Sequence, residues 1–581
     1  MSEQSSSAEP RTSLRATLPP ETPDLHGAYP RLSKAQLETL SAYGVRRTVA
    51  PSEVLLAAGE PSEYFYVVLQ GRFGVFEDYD GRRRLIRVHG PGRFLGGLSI
   101  LTGQVEFVTV AALQAGEVLA VPAERLRELV LHDIELGDQL LRALLVRRSL
   151  LISSGSGFRI VGTRTSPETQ RLRSFAARNR LPHRFLDIER DAVAETLMRQ
   201  LGISPQDLPI VIVPGHDVLR NPSNAELAEA TGLSRRPGQR DLFDLIVVGA
   251  GPSGLAAAVY GASEGLHTLI LDTMATGGQA ATSSRIENYL GFPAGISGAE
   301  LADRATIQAE KFGARITIPG EARALQRADG HYTVRAEADL AVEGRSVIIA
   351  TGALYRKLDV PRLAEFETSS IYYAATRFEA QQCAREPVAI VGGGNSAGQA
   401  ASFLAQSVPK VYLLVRHGDL HRDMSQYLID QISAIPNVEV RYHTEVRELL
   451  GDQTLAGLVV ENNSTGERDR LDVGALFVFI GATPCTSWLV NTIELDQDGF
   501  VLTGERAAAA GVDVRPQLLE TSWPGVFAIG DVRSGSVKRV ASAVGEGAMA
   551  VHLIEAQFGQ ETMNSSFDDD PAGDRTRSID K

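Results

Sequence analysis

Short apolar runs that end in glycine recur through the later part of the chain. Leu245-Ile246-Val247-Val248 runs into Gly249-Ala250-Gly251-Pro252-Ser253-Gly254. Val388-Ala389-Ile390-Val391 runs into Gly392-Gly393-Gly394-Asn395-Ser396-Ala397, about 140 residues further on. Unbroken apolarity over so few positions predicts strands covered on both faces. The Ala-rich stretches that follow predict helices. A glycine turn in that setting lets the backbone approach a pyrophosphate, which rests on the helix N-terminus. Two such turns imply two dinucleotides, a flavin and the nicotinamide that feeds it. From about Arg240 to Phe558 strand and helix patterns alternate, which predicts a doubly wound α/β block.

The front of the chain reads differently. Tyr64 to Leu69, Phe73 to Tyr79 and Leu85 to Val88 are short strand patterns parted by Gln70-Gly71, Asp80-Gly81 and Gly90-Pro91-Gly92, which predicts a β-roll or sandwich. Leucines at helical spacing follow from Pro122 through Arg148. Ser153-Ser154-Gly155-Ser156-Gly157 predicts a flexible linker, and Arg235-Arg236-Pro237-Gly238 a second. Between them lie strand patterns at Phe158–Gly162, His183–Ile188 and Pro209–Val213, with helices at Glu168–Asn179 and Asn224–Gly232.

Length and charge narrow the class. A chain of 581 residues needs several cores. A net charge of −13 argues against nucleic acid or an anionic membrane as a general partner. No apolar run is long enough to span a bilayer, and the first residues lack the apolar core of a signal peptide. With Cys383 and Cys485 as its 2 cysteines, the chain has no disulfide framework, and a reducing cytoplasmic setting is expected.

The acidic residue expected about 20 positions after the first turn is Asp272, at the end of Leu269-Ile270-Leu271, placed to accept from ribose hydroxyls. Further elements are Gly277-Gly278-Gln279, Ile286-Glu287-Asn288-Tyr289, Ala350-Thr351-Gly352 and the strand Gly525 to Ile529 ending in Gly530-Asp531. In this order the set resembles the bacterial thioredoxin-reductase family, over about 320 residues. The resemblance implies FAD held by Gly249, Gly251, Ser253, Gly254, Asp272, Gly278, Gln279, Asn288, Gly352, Gly530 and Asp531, with Val540 and Ala541 near the isoalloxazine ring. It also implies a second dinucleotide domain inserted into the first, and a homodimer. There Gly392, Gly394, Asn395, Ser396 and Ala397 form the turn. The next strand ends at Arg416-His417, with Arg422 beyond, and no carboxylate stands where NAD would need one. Positive groups there suit a 2′-phosphate, so NADPH is the expected reductant.

One departure bears on function. The family's Cys-x-x-Cys lies ahead of the second turn; this chain reads Ala374-Ala375-Thr376-Arg377, so Ala374 and Arg377 stand in the redox-cysteine positions. No certain catalytic side chain is left. Electrons are expected to leave reduced flavin directly, to a ferredoxin, flavodoxin, quinone, oxygen or a thiol protein. Thioredoxin-disulfide reduction through an unrecognised thiol, and a redox or ligand sensor, are the alternatives.

The two front modules also resemble known domains. Residues 158–233 are similar to the thioredoxin/glutaredoxin fold, with Ser166-Pro167-Glu168-Thr169 in place of its Cys-x-x-Cys and Leu208-Pro209 in place of its cis-proline loop. Residues 25–150 are similar to the cyclic-nucleotide-binding roll, but Gly97 stands where the family has the ribose Glu and Glu106 where it has the phosphate Arg. A carboxylate there would repel a cyclic phosphate. The expected architecture is multidomain: disorder over 1–24, a β-roll with helices over 25–150, and a small thioredoxin-like α/β domain over 158–233. Two interleaved Rossmann-like domains follow, FAD-binding over 240–357 and 482–558, NADPH-binding over 358–481. A disordered tail covers 560–581. No metal site is expected.

Overall fold

The computed structural model describes residues 18–568 apart from 80–81, 235–240, 284, 287, 329, 338–339, 368, 374, 376–378, 381–382, 384, 453 and 509–514. Outside the described residues lie the turn at Asp80-Gly81, the linker Arg235–Gly238, most of the Ala374–Arg377 segment, and the ends of both tails. Two compact units make up the chain: one runs to Phe158 and takes in Pro214–His216, and the other comprises the rest.

The first unit is the expected roll. Val45–Val49, Gly116–Pro122, Tyr64–Gln70 and Phe94–Leu95 form one 4-stranded sheet, and Val54–Leu56, Thr109–Ala112, Phe73–Tyr79 and Arg82–His89 another. Their inward residues, among them Val68, Phe73, Leu95, Val110 and Val118, make a shared core. Helices Ala123–His132 and Ile134–Ser154 follow. Two expectations fail here. Residues 18–24 are not disordered: Thr22 N donates to Val88 O at 3.0 Å, and Glu21 pairs with the buried Arg93 at 2.6 Å. The serine-rich stretch is no linker either. Ser153 and Ser154 continue the helix, their hydroxyls bonded back to Leu150 O and Leu151 O at 3.0 Å, and Gly155 at φ 64° ends it.

The second unit contains most of the module at 158–233 and both dinucleotide domains. The module's sheet runs His183–Asp187, Phe158–Gly162, Ile210–Ile212, Leu219–Arg220. Its helices are Pro167–Arg178, Ala192–Leu201 and Asn224–Ala230, and the Leu208-Pro209 bond is cis.

In the flavin domain the buried strand Leu242–Val248 lies between Thr268–Leu271 and Ala341–Ile349, all parallel, with Val526–Ala528 added beside Ala341–Ile349. The nicotinamide domain repeats the plan on a smaller scale. Val388–Val391 is flanked by Val411–Leu414 and Ala475–Val478, again parallel. Each domain carries a three-stranded antiparallel meander, Ala322–Ala328 to Ala341–Ile349 in one and Thr444–Gly451 to Arg468–Leu471 in the other. Ala353–Tyr355 and Ala482–Pro484 pair antiparallel where the chain leaves the first domain and returns. The final helix runs Val540–Asp568, so the tail expected to be disordered from 560 begins as helix.

Candidate functional site

The first glycine turn owes its shape to the strand behind it. Gly249 sits at φ 108°, where a Cβ would overlap Ala350 O, so only glycine lets the turn pass so close to the neighbouring strand. Gly254 packs as closely on Gly249 O. A Cβ at Gly251 would meet nothing within 4 Å. Gly251 also opens the helix Pro252–Ser263, whose start carries no side-chain cap hydrogen bond. An open cradle over an uncapped helix start fits a pyrophosphate. Ser253 lies against Gly530, and Gly547 of the last helix approaches Ser253 O, so the Gly-Asp element and the last helix close around the same turn.

Glu546 fixes that element. Its Oε2 accepts from Gly530 N at 2.6 Å, and it pairs with Arg533. Asp531 beside it is pushed above the usual carboxylate range by burial, with Lys538 opposing. Gly278 packs on Gly251, and Gln279 Nε2 donates to Ala353 O. Gly352, at φ 68°, borders open space. Asn288 is exposed, Val540 is half-buried and Ala541 is exposed at the start of the last helix.

Asp272 does more within the protein than the spacing implied. Its Oδ2 accepts from Ala250 N at 2.7 Å, inside the glycine turn. Its Oδ1 accepts from Met274 N at 2.9 Å and Ala275 N at 3.0 Å. Burial raises this carboxyl from its usual range, and the three amides work against that rise. The residue therefore ties the turn to the loop after Thr268–Leu271. Spacing alone could not reveal this, because the amide partners converge only once the loop folds.

At the second turn Gly392 has φ 145° and packs against Phe479 O, and the helix Asn395–Leu404 again starts without a side-chain cap hydrogen bond. Asn395 and Ala397 have internal tasks. Asn395 Oδ1 accepts from Ser425 N and Ser425 Oγ, both at 2.8 Å, and Ala397 is core. Ser396 is exposed. Arg416, His417 and Arg422 come together as expected. His417 Nε2 lies 3.2 Å from Arg416 Nε and 3.5 Å from Arg422 Nη1, and both arginines are exposed.

The cysteines stand apart. Cys383 is buried among Ala380, Val388 and Ala375 in the nicotinamide-domain core. Burial and the neighbouring Glu379 push its thiol up to about 12. Cys485 precedes the turn Ser487–Leu489, its carbonyl accepting from Thr351 Oγ1 at 2.9 Å. Burial and the charge of Asp272 raise its thiol as well. Neither environment favours a thiolate.

In the two front modules the positions singled out in the sequence are engaged within the protein. In the module at 158–233 Ser166 caps the helix Pro167–Arg178 by accepting from Thr169 N at 3.2 Å. Glu168 accepts from Ser166 Oγ at 2.9 Å, and its own amide together with that hydroxyl holds its carboxyl below the usual range. In the roll Glu106 is buried; its Oε1 accepts from Ser99 Oγ at 2.6 Å, and the Gly97 amide also donates to it. The Ser99 hydroxyl and the Gly97 amide are thus engaged by a carboxyl group of the chain itself. Arg147, on the long helix, spends its guanidinium on Ala28 O, Gly96 O and Phe94 O at 2.7, 2.7 and 3.1 Å.

Two interleaved dinucleotide domains with these turns define a flavin- and nicotinamide-dependent oxidoreductase. Residues 243–547 match the family model described as pyridine nucleotide-disulphide oxidoreductase, and residues 46–133 that of the cyclic nucleotide-binding domain. The chain is 31% identical over 317 residues, 54% of its length, to a thioredoxin reductase of Mycoplasmopsis pulmonis, covering 97% of that protein. It is 32% identical over 317 residues, 55% of its length, to a 34.2 kDa protein in the rubredoxin operon of Clostridium pasteurianum, again covering 97%. The crystal structure of T. acidophilum thioredoxin reductase superposes with a TM-score of 0.50 at 30% identity, over 54% of this chain and 98% of that one. The chain belongs to the pyridine nucleotide-disulphide oxidoreductase family. It is a thioredoxin-reductase-like oxidoreductase that uses FAD and NAD(P)H, fused to a cyclic-nucleotide-binding-type roll.

Proposed function

We propose that this chain carries reducing equivalents from NADPH through FAD to an acceptor outside the chain, without a cysteine relay. The observation that carries this reading is the state of its 2 cysteines: one in a core and one half-buried, both with raised thiols. A relay needs a thiolate able to attack and a partner to close the disulfide.

In this reading the uncapped start of Pro252–Ser263 and the cradle at Gly251 receive the FAD pyrophosphate. Asp272 holds the turn in shape, and Asp531 stands at the Gly-Asp element beside it. Gly392 to Ala397 receive the NADPH pyrophosphate, and Arg416, His417 and Arg422 face its 2′-phosphate. The chemistry FAD supplies when bound is hydride acceptance and onward electron transfer. The residues around it bind and orient; none is required to move a proton in the hydride step. The acceptor is a ferredoxin, flavodoxin, quinone, oxygen or a disulfide on another protein.

The test is substitution of both cysteines. Cys383→Ser and Cys485→Ser, alone and together, are expected to leave NADPH-dependent turnover with each acceptor unchanged. Loss of turnover in either folded, flavin-loaded variant would contradict the reading and restore disulfide reduction by this chain's own thiol.

A further inference from the structure

The first helix of the thioredoxin-like module, Pro167–Arg178, ends against the flavin domain. Asn179, buried, donates from Nδ2 to Phe175 O and to Met274 O, both at 2.9 Å. The next residue, Arg180, turns into the left-handed region at φ 49°. Its guanidinium then lies 2.8 Å from Asp303 in the helix Gly298–Lys311, with the two side chains 23% and 19% exposed. An ion pair so enclosed is screened less than one on an open surface.

Both contacts bear on one loop. Met274 lies in the loop that Asp272 organises through the Met274 and Ala275 amides. The loop continues to Gly277, whose amide donates to Ala250 O at 2.6 Å within the glycine turn, and to Gly278, which packs on Gly251. Asp303 follows Ala302, the residue that Gly277 packs against. Asn179 therefore grips the start of the loop, and Arg180 grips the helix that backs its end. The loop itself forms one wall of the turn assigned to the FAD pyrophosphate. The charge of Arg178 also acts on Asp272, favouring its ionised form.

We infer that the thiol-free thioredoxin-like module is a built-in brace for the flavin loop, and that Asn179 and Arg180 are positioning residues that set how tightly FAD is retained. The module's family position for a dithiol is occupied by a helix cap, so docking rather than thiol exchange is what its surface offers here. The inference rests on FAD occupying the first glycine turn.

The test uses the full-length chain. Flavin loss and rebinding are followed by FAD fluorescence in the wild type, Asn179→Ala, Arg180→Asp, Asp303→Arg and the pair Arg180→Asp with Asp303→Arg. Near-ultraviolet circular dichroism and the melting temperature of the apoprotein check folding. Arg180→Asp and Asp303→Arg are each expected to hold FAD about tenfold more weakly, the size of a partly buried charged contact, and Asn179→Ala about fivefold, the size of a neutral hydrogen bond. The reversed pair is expected to recover most of that loss, and the KM for NADPH to stay constant throughout. Wild-type retention in the folded single variants overturns the brace. So does a reversed pair that melts like the wild type yet does not recover FAD. A wild-type protein that binds no FAD at all would instead remove the reading on which the brace depends.

Discussion

Asp272 and Glu106 are two carboxylates singled out in the sequence for a ligand-binding position, and both are engaged within the protein itself. Asp272 collects three amides, and Glu106 takes the Ser99 hydroxyl and the Gly97 amide. Spacing singled them out but did not reveal their partners, because those are groups that loops deliver only once the chain folds. Glu106 makes a pH-dependent prediction. Burial raises its folded pKa above the unfolded value, so the folded state binds the proton more tightly. The stability this gives is complete below the unfolded value of about 4.3 and is lost as pH rises through the folded pKa. The melting temperature of Glu106→Gln relative to wild type is therefore expected to climb as pH increases from about 4.3. A difference that stays flat with pH would contradict a buried, proton-favouring carboxyl. Calorimetric titration of the wild type with cAMP and cGMP is expected to give no binding heat, since the cassette donors are already engaged. Saturable binding of either would show that Glu106 swings out.

Elements read well wherever the signal was local. The two strand–turn–helix units were legible because an apolar run, a glycine turn and an Ala-rich stretch are all contiguous. Ser153 and Ser154 misled because composition cannot show that a serine hydroxyl will bond back to the helix it extends. The helix Asn395–Leu404 starts inside the stretch read as the turn, and Asn395 holds Ser425, 30 residues away in sequence. Gly249→Ala combines a strained backbone with an overlap at Ala350 O, a cost of at least about 1–3 kcal/mol at the turn. Its purified form is expected to be colourless or to lose flavin on dilution; a normal flavin content would sink the assignment of this turn. At the other turn, Arg416→Ala is expected to raise the KM for NADPH about tenfold and leave that for NADH unchanged. Equal effects on both cofactors would mean that Arg416 does not meet the 2′-phosphate.

On the scale of the whole molecule, the roll followed by the dinucleotide domains was legible, and how the segment between them docks was not. Asn179 and Met274 are 95 residues apart, and nothing in either segment's pattern announces the other. The same scale holds the central claim: two dinucleotide sites with no sulfur pair between flavin and acceptor. Among the described helices none is long and apolar enough to cross a membrane. The most direct measurement is the number of electrons the purified, flavin-loaded protein takes up in an anaerobic titration with dithionite. A flavin without a redox-active disulfide takes about two electrons per FAD, and one with such a pair about four. The account predicts about two, followed by oxidation of the reduced protein on adding an external acceptor. Uptake of about four, abolished by Cys383→Ser or Cys485→Ser, would contradict it.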